Sequence, residues 1–428
     1  MSLDGVHNTD VIVLTAGATE YTDALVSFAW IMAAALVAPL VAYVFRNRIP
    51  AVALLLVFGM IIGPSVLDLA AEEEGIGMLK ELGVGALFLL AGFEINLQSL
   101  RSKQAKNALA TWSMCAVACG VGAYFLVGTI PAAIVVALAL TSTALGTLTP
   151  MLKQHKVTGT KVGNSVLIHG AIGEIAPISA MALLLGTHGT WTTLLVMVAF
   201  IGIAVLVAIA PSAIVRAVPG IGRAFVSGAG STNQTILRLI VLILATLMAV
   251  AAVFELDIVL GAFAAGIILN RIIPDEFHEP LEHRLDVVFY SMLIPVFFVV
   301  SGMAINWDTI ANNPGKVLGI PALILFTRGL PVFLRENADD TGSEIKSFRE
   351  RLQVGFYSAT GLPIIVAVTT LAVDSELMRQ ETASIFVAGG ALTVAIFPIL
   401  ANLVGEKRNY TARTVEHKSA NESANGSN

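Results

Sequence analysis

The sequence predicts an all-α polytopic membrane protein, and three observations carry that reading. Of the 428 residues, 56% are hydrophobic and 13% charged, with a mean hydropathy of +0.82; soluble domains carry about 25% charged residues. Apolar runs of about 20 residues, the length that crosses a ~30 Å hydrocarbon core, recur along almost the whole chain. Lys and Arg collect in alternate loops between those runs. Length alone would suggest roughly two or three soluble domains, but the hydropathy makes the chain one integral membrane unit.

Thirteen spans are expected, centred near 24–45, 50–68, 81–97, 107–128, 131–152, 162–186, 191–215, 234–253, 255–270, 286–304, 315–334, 350–373 and 382–404. The segment 11–17 (VIVLTAG) is too short to cross. With the N-terminus outside, the loops assigned to the inner face and the tail hold 21 basic residues, against Lys80, Lys316 and Arg379 in loops assigned outside. Such a bias fixes orientation through the positive-inside rule, and a plasma-membrane location is expected. Residues 1–23 are then an extracytoplasmic segment, 24–404 the membrane unit, and 405–428 a polar, disordered cytoplasmic tail. The N-terminus does not read as a secretory signal, because no Lys or Arg precedes Arg46.

Other features exclude more than they assign. The net charge of −5 is divided among the loops. Cys115 and Cys119 lie i,i+4 in one apolar run and read as small apolar fillers. No phosphate loop, zinc spacing or Ser–His–Asp arrangement is recognisable. Neither an enzyme, a cofactor nor a nucleic-acid partner is expected.

Two spans are interrupted. The fifth reads ALTSTALGTLTPMLK, with Thr141, Ser142, Thr143, Gly146, Thr147, Thr149 and Pro150. The twelfth reads GFYSATGLPIIVAV, with Ser358, Thr360, Gly361 and Pro363. Proline removes a donor and frees a carbonyl, and in lipid such groups must be satisfied by side chains, water or a ligand. The two spans are seven apart, so they run in opposite directions, as in an inverted repeat of spans 2–6 and 9–13. Interrupted helices at matching positions point to a midplane site. The plainer alternative is that Gly, Ser and Thr only permit close packing.

Two ionisable residues lie at depth. Glu174 has about a dozen span residues on either side, and Arg328 has apolar neighbours on both sides. Both are costly there without a partner or water, which marks them as functional candidates. Burial favours the protonated acid and a nearby cation favours the carboxylate. Where the two nearly balance, Glu174 can hold either a proton or a hard monovalent cation, with oxygens of Thr141, Ser142, Thr143 and freed carbonyls completing the shell. Competition for one site presented to each side in turn is sufficient for exchange. The alternative is a purely structural Glu174–Arg328 ion pair. Ser358 and Thr360 are further contributors from the second break. His169 lies about 140° around the helix from Glu174, so a shared site is not implied; a pH-sensing role stands beside simple packing. Glu94, Asn96, Glu255, Asp257, Asn306 and Asp308 read as interfacial.

The residues also resemble a family. FLLAGFEINLQSL, LALTSTALGTLTPMLK, LDIVLGAFAAGIILN and PVFFVVSGMAINW are similar to stretches of the cation:proton antiporter superfamily, in particular its sodium/proton and potassium/proton branch. The resemblance covers nearly all the spans. It implies exchange of Na+ or K+ for H+ in pH homeostasis and a homodimer. It also implies a mobile core (107–186 and 315–404), a dimer-forming scaffold (24–97 and 234–304), a linker span (191–215) and an elevator-like shift of the core. Glu174 falls where the family carries its ion-binding aspartate, and Arg328 where many members carry a Lys or Arg that pairs with an acid. Members show Asp–Asp, Asn–Asp or Gln–Asp at the site, whereas this chain has Gly173–Glu174. One acid per site implies one-for-one electroneutral exchange. A sodium-coupled solute transporter on the same plan, and an ion channel or sensory module, remain as alternative functions.

Overall fold

Breaks and caps in the chain follow its local chemistry. In the computed structural model, residues 7–45, 49–95, 99–184, 195–196, 198–207, 235–273, 275–338 and 341–405 are described. The expectations for the first few residues, most of the linker span, Asn96 and the C-terminal tail lie outside them. The first helix, α1 (His7–Val44), begins well before the expected first span, so 11–17 is the start of a long helix and not a separate piece. It is followed by α2 (Ala51–Ile62), α3 (Glu74–Glu94) and α4 (Lys103–Val127). The Ser102 hydroxyl accepts the Ala105 N–H at 3.1 Å to cap α4, and Gly128 ends that helix in the left-handed region at φ 78°.

The fifth span is two helices, α5 (Ile130–Thr141) and α6 (Leu145–Gln154). At the break, the hydroxyls of Thr141 and Ser142 donate back to the carbonyls of Ala137 (2.7 Å) and Ala139 (3.0 Å). Such local bonds compete with helix continuation. Then come α7 (Lys161–Leu184), α8 (Val198–Val207), α9 (Thr235–Val253) and α10 (Ile258–Ile272), the last capped by Asp257 accepting the Val259 N–H at 2.7 Å. Helix α11 (Asp275–Val288) runs through a π-turn (Phe289–Leu293) into α12 (Ile294–Met303). A short α13 (Trp307–Asn312) precedes α14 (Pro314–Ile324), which passes through a second π-turn (Leu325–Gly329) into α15 (Leu330–Asn337).

The twelfth span is likewise two helices, α16 (Phe348–Ser358) and α17 (Leu362–Asp374), with Pro363 in the first turn of α17, where its missing N–H costs nothing. Helix α18 (Gln380–Val404) closes the described chain. Both interruptions thus fall where the Ser/Thr/Gly/Pro clusters predict them.

Among the described residues, ten helical stretches are long and apolar enough to cross a membrane, the two broken spans each counted as one, and α2, α8 and α10 are shorter apolar helices that overlap three further expected spans. No strand occurs among the described residues. Helix α2 packs on α12 and α3 on α10, so each half of the chain lends its helices to the other. The interior is aliphatic and aromatic, with Leu87, Phe88, Leu89, Phe297, Phe298 and Val299 buried. The outside is apolar too: Phe125 and Leu126 of α4 and Val253 of α9 are more than 80% exposed, as suits a lipid solvent. The protein is a multi-pass membrane protein.

Candidate ion-binding site

The two breaks touch directly. The Ala144 N–H donates to the Thr360 carbonyl at 2.7 Å, and the Thr143 hydroxyl donates to the Ser358 carbonyl at 2.6 Å. The Ser142 hydroxyl also reaches the Gly361 carbonyl, at 3.4 Å. A Cβ at Gly361 would lie 2.6 Å from Ser142 Oγ and 2.9 Å from the Ser142 carbonyl oxygen, so the crossing needs a glycine there. Backbone groups released by the interruptions are therefore largely spent on each other, which is how non-helical backbone survives at membrane depth.

Helix α7 is fastened onto this crossing at Gly173–Glu174. The Thr143 N–H donates to the Gly173 carbonyl at 2.9 Å, and the Leu145 N–H donates to the Glu174 carboxyl. Glu174 thus faces the first residue of α6, where the positive end of a helix favours an anion. It is 2% exposed, and its Oε2 has no protein partner. Ser358 Oγ, also fully buried, has none either.

Arg328 sits in the second π-turn, a feature that often marks functional positions. It is fully buried. Its Nε donates to Thr143 Oγ1 at 3.0 Å and its Nη2 to the His169 carbonyl at 2.8 Å, while Nη1 has no partner. No ion pair joins Arg328 to Glu174 among the described residues, so the structural-pair alternative does not describe this arrangement. The charged side chain that acts on Glu174 is Glu94, at the end of α3. Glu94, expected at the interface, is half-buried.

These contacts account for Gly173. A Cβ there would fall 2.6 Å from both Arg328 Nη2 and Thr143 Oγ1. The guanidinium and the Thr143 side chain occupy the space that a side chain before the acid would need.

The residue model of the transmembrane sodium/hydrogen exchanger family matches residues 32–404. The chain belongs to the sodium/hydrogen exchanger family. It is 24% identical over 397 residues to the putative Na+/H+ antiporter YjbQ of Bacillus subtilis, covering 86% of this chain and 61% of that one. The chain thus spans less than two thirds of YjbQ's length. It is 25% identical over 355 residues to the Na+/H+–K+ antiporter GerN of Bacillus cereus, covering 80% and 87% of the two chains. The solved sodium proton antiporter MjNhaP1 of Methanocaldococcus jannaschii superposes with a TM-score of 0.60 at 17% identity, over 90% of this chain and 100% of that one. At that identity the likeness speaks for the fold. The resemblance to the cation:proton antiporter superfamily is borne out.

Within this exchanger-family fold, Thr141, Ser142, Thr143, Glu174, Arg328, Ser358 and Thr360 gather around the crossing. Thr143 is the most committed, donating to Ser358 and accepting from Arg328. The Thr360 hydroxyl turns back to the Tyr357 carbonyl at 2.7 Å. His169 turns away: its Nε2 lies 3.0 Å from Glu336 Oε1. Two neighbours escaped the sequence reading. Tyr290, in the first π-turn, donates from its hydroxyl to the Gly146 carbonyl at 3.1 Å, and a phenol among apolar neighbours carries no charge to flag it. Glu336, 2% exposed, follows Arg335 near the end of a span, where acids are commonly solvated.

A polar cavity of about 390 Å³ lies between α3 and α12 on one side and α17 and α18 on the other. Glu81, Ser301, Thr369, Asp374 and the Lys80–Glu72 ion pair (2.7 Å) line it.

Proposed function

We propose that this protein is a secondary antiporter that exchanges a monovalent cation, Na+ or K+, for H+ by alternating access at Glu174. The observation that carries the proposal is the buried Glu174 carboxyl, with one oxygen unpartnered, at the crossing of two broken helices. A single carboxyl in that position holds a proton or a cation, but not both. The Leu145 N–H at the start of α6 supports the anionic form when the proton leaves. Lone pairs on Thr141, Ser142 and Ser358 supply neutral oxygens to a hard cation.

Arg328 serves the site indirectly. It tethers Thr143 in the first break to the His169 carbonyl on α7, so it holds the crossing and α7 as one body. Core helices 107–186 and 315–404 move as an elevator against the scaffold 24–97 and 234–304, with 191–215 as linker. The cavity lined by Glu81 and Asp374 lies between those two units, where an outward route would open. A homodimer through the scaffold, a plasma-membrane location, an N-terminus outside and a role in pH homeostasis complete the proposal. With one acid in the transport site, exchange is one-for-one and electroneutral.

The test is collapse of an imposed pH gradient in proteoliposomes across a series of alkali cations, with and without a potassium/valinomycin clamp. Na+ or K+ should dissipate the gradient, the clamp should leave the rate unchanged, and Glu174→Gln should abolish the flux. A wild-type protein in which no tested cation moves protons would overturn the exchange reading. A clamp-dependent rate would overturn electroneutrality alone.

A further inference from the structure

A buried ionisable pair joins α7 to α15, and the transport site does not use it. His169 and Glu336 are 1% and 2% exposed, and their side chains meet at 3.0 Å. Ser165, one turn before His169, donates to the same Glu336 oxygen at 3.0 Å and is itself held by Gln104 Nε2 of α4 at 2.8 Å. The other carboxyl oxygen accepts from the Thr341 hydroxyl at 3.3 Å. Ser165 and Thr341 both use Glu336 as an acceptor, which suits the anion.

His169 Nδ1 is buried and has no partner. With hydrogen on Nε2 the imidazole donates to Glu336 and leaves Nδ1 as a bare acceptor. The other tautomer would bury an unsatisfied N–H, which costs more. Nδ1 is therefore a vacant proton position inside a satisfied network. Thr341 Oγ1 and Ser343 Oγ are 2.9 Å apart and flank exposed Gly342, and the next residue, exposed Glu344, pairs with Lys161 at 2.9 Å.

We propose that His169 and Glu336 form a second proton-binding site, separate from Glu174, which sets the pH range of the transport site. It lies five residues before Glu174, about 7.5 Å along the helix. The charges that act on His169 are Glu336, Arg328 and Arg335, while Gln104 faces the network from α4 as a neutral group. Arg328 is the link to the crossing, since it holds both the His169 carbonyl and Thr143. A proton on Nδ1 places a cation beside that guanidinium in a poorly screened interior, so the hold on the first break weakens in acid. The site itself rests on geometry alone; only its effect on transport rests on the exchange reading.

Two substitutions have opposite expected signs. Glu336→Gln removes the anion that favours a charged imidazole, so the acid limb of activity should move to lower pH by about one unit. The pair Thr341→Val with Ser343→Ala removes donors that stabilise the carboxylate, so that limb should move to higher pH. Each variant is read twice: by exchange against internal pH in proteoliposomes, and by thermal stability of the purified protein across pH 5–9. The second readout requires no transport, so it decides this proposal even if wild-type exchange is absent. His169→Gln should erase the inflection that the other variants move, and it carries the test where Glu336→Gln fails to fold. Profiles that track the wild type in both readouts, or shifts of the same sign for both substitutions, would overturn the proposal.

Discussion

Glu174 and the glycine before it form one unit. Gly173 leaves room for Arg328 and Thr143, and its carbonyl and the Glu174 carboxyl are held by two N–H groups of the first break. Gly173→Ala should therefore destabilise the protein by about 1–3 kcal/mol through overpacking, measured as a lower melting temperature. An unchanged melt would show that Arg328 can give way freely. The departure from the family's paired residues is legible in the sequence, but its cause is not. It lies in a side chain 155 positions along the chain, in a π-turn that periodicity does not reveal. Asp257 shows the reverse case, a residue read as interfacial whose setting alters its titration. Burial raises its carboxyl from the ordinary 3.8 to about 6, against the opposing Val259 N–H. Between those values the folded protein keeps a proton that the unfolded chain has released, so stability falls as pH rises from about 4 to about 6. Asp257→Asn keeps the cap and removes the titration. Its melting temperature should match the wild type near pH 4 and exceed it above pH 6, by about 1 kcal/mol of stability for a partly exposed group. A difference independent of pH would contradict this.

Among the elements, the broken helices carry the geometry of the candidate site. Their positions are legible because Ser, Thr, Gly and Pro weaken helices for known local reasons: back-bonding hydroxyls at Thr141 and Ser142, and a proline that starts α17. Their mutual stitching is not legible, because it joins residues more than 200 positions apart. Gly361→Ala would push Ser142 away from the crossing. It should reduce exchange at least about tenfold, more than the ~1 kcal/mol loss typical of one substitution would imply. The check is transport rate against melting temperature in the same preparation; proportionate losses would make Gly361 a packing residue only. The π-turns were invisible in the sequence for a related reason. One inserted residue shifts the helical face without changing composition, yet it aims Tyr290 at Gly146 and Arg328 at Thr143.

For the molecule as a whole, hydropathy and charge alternation made the all-helical membrane architecture legible, whereas relative motion of its parts leaves no mark on composition. Gly146 of α6 and Leu87 of α3 lie on opposite sides of the proposed core–scaffold boundary, with a Cβ at 146 only 3.5 Å from Leu87 Cδ1. Cysteines at both positions, in a Cys115→Ala, Cys119→Ala background, should stop exchange when bridged by a short thiol cross-linker and restore it on reversal. Undiminished exchange in the bridged protein would rule out sliding at this boundary. The proposed exchange turns on competition between cation and proton for one carboxyl. Titration calorimetry of the purified protein, repeated in buffers of different ionisation enthalpy, counts protons released per cation bound. About one proton per Na+ or K+ is expected in the wild type, and neither binding nor release in Glu174→Gln. Cation binding without proton release, or release undiminished in that variant, would contradict it.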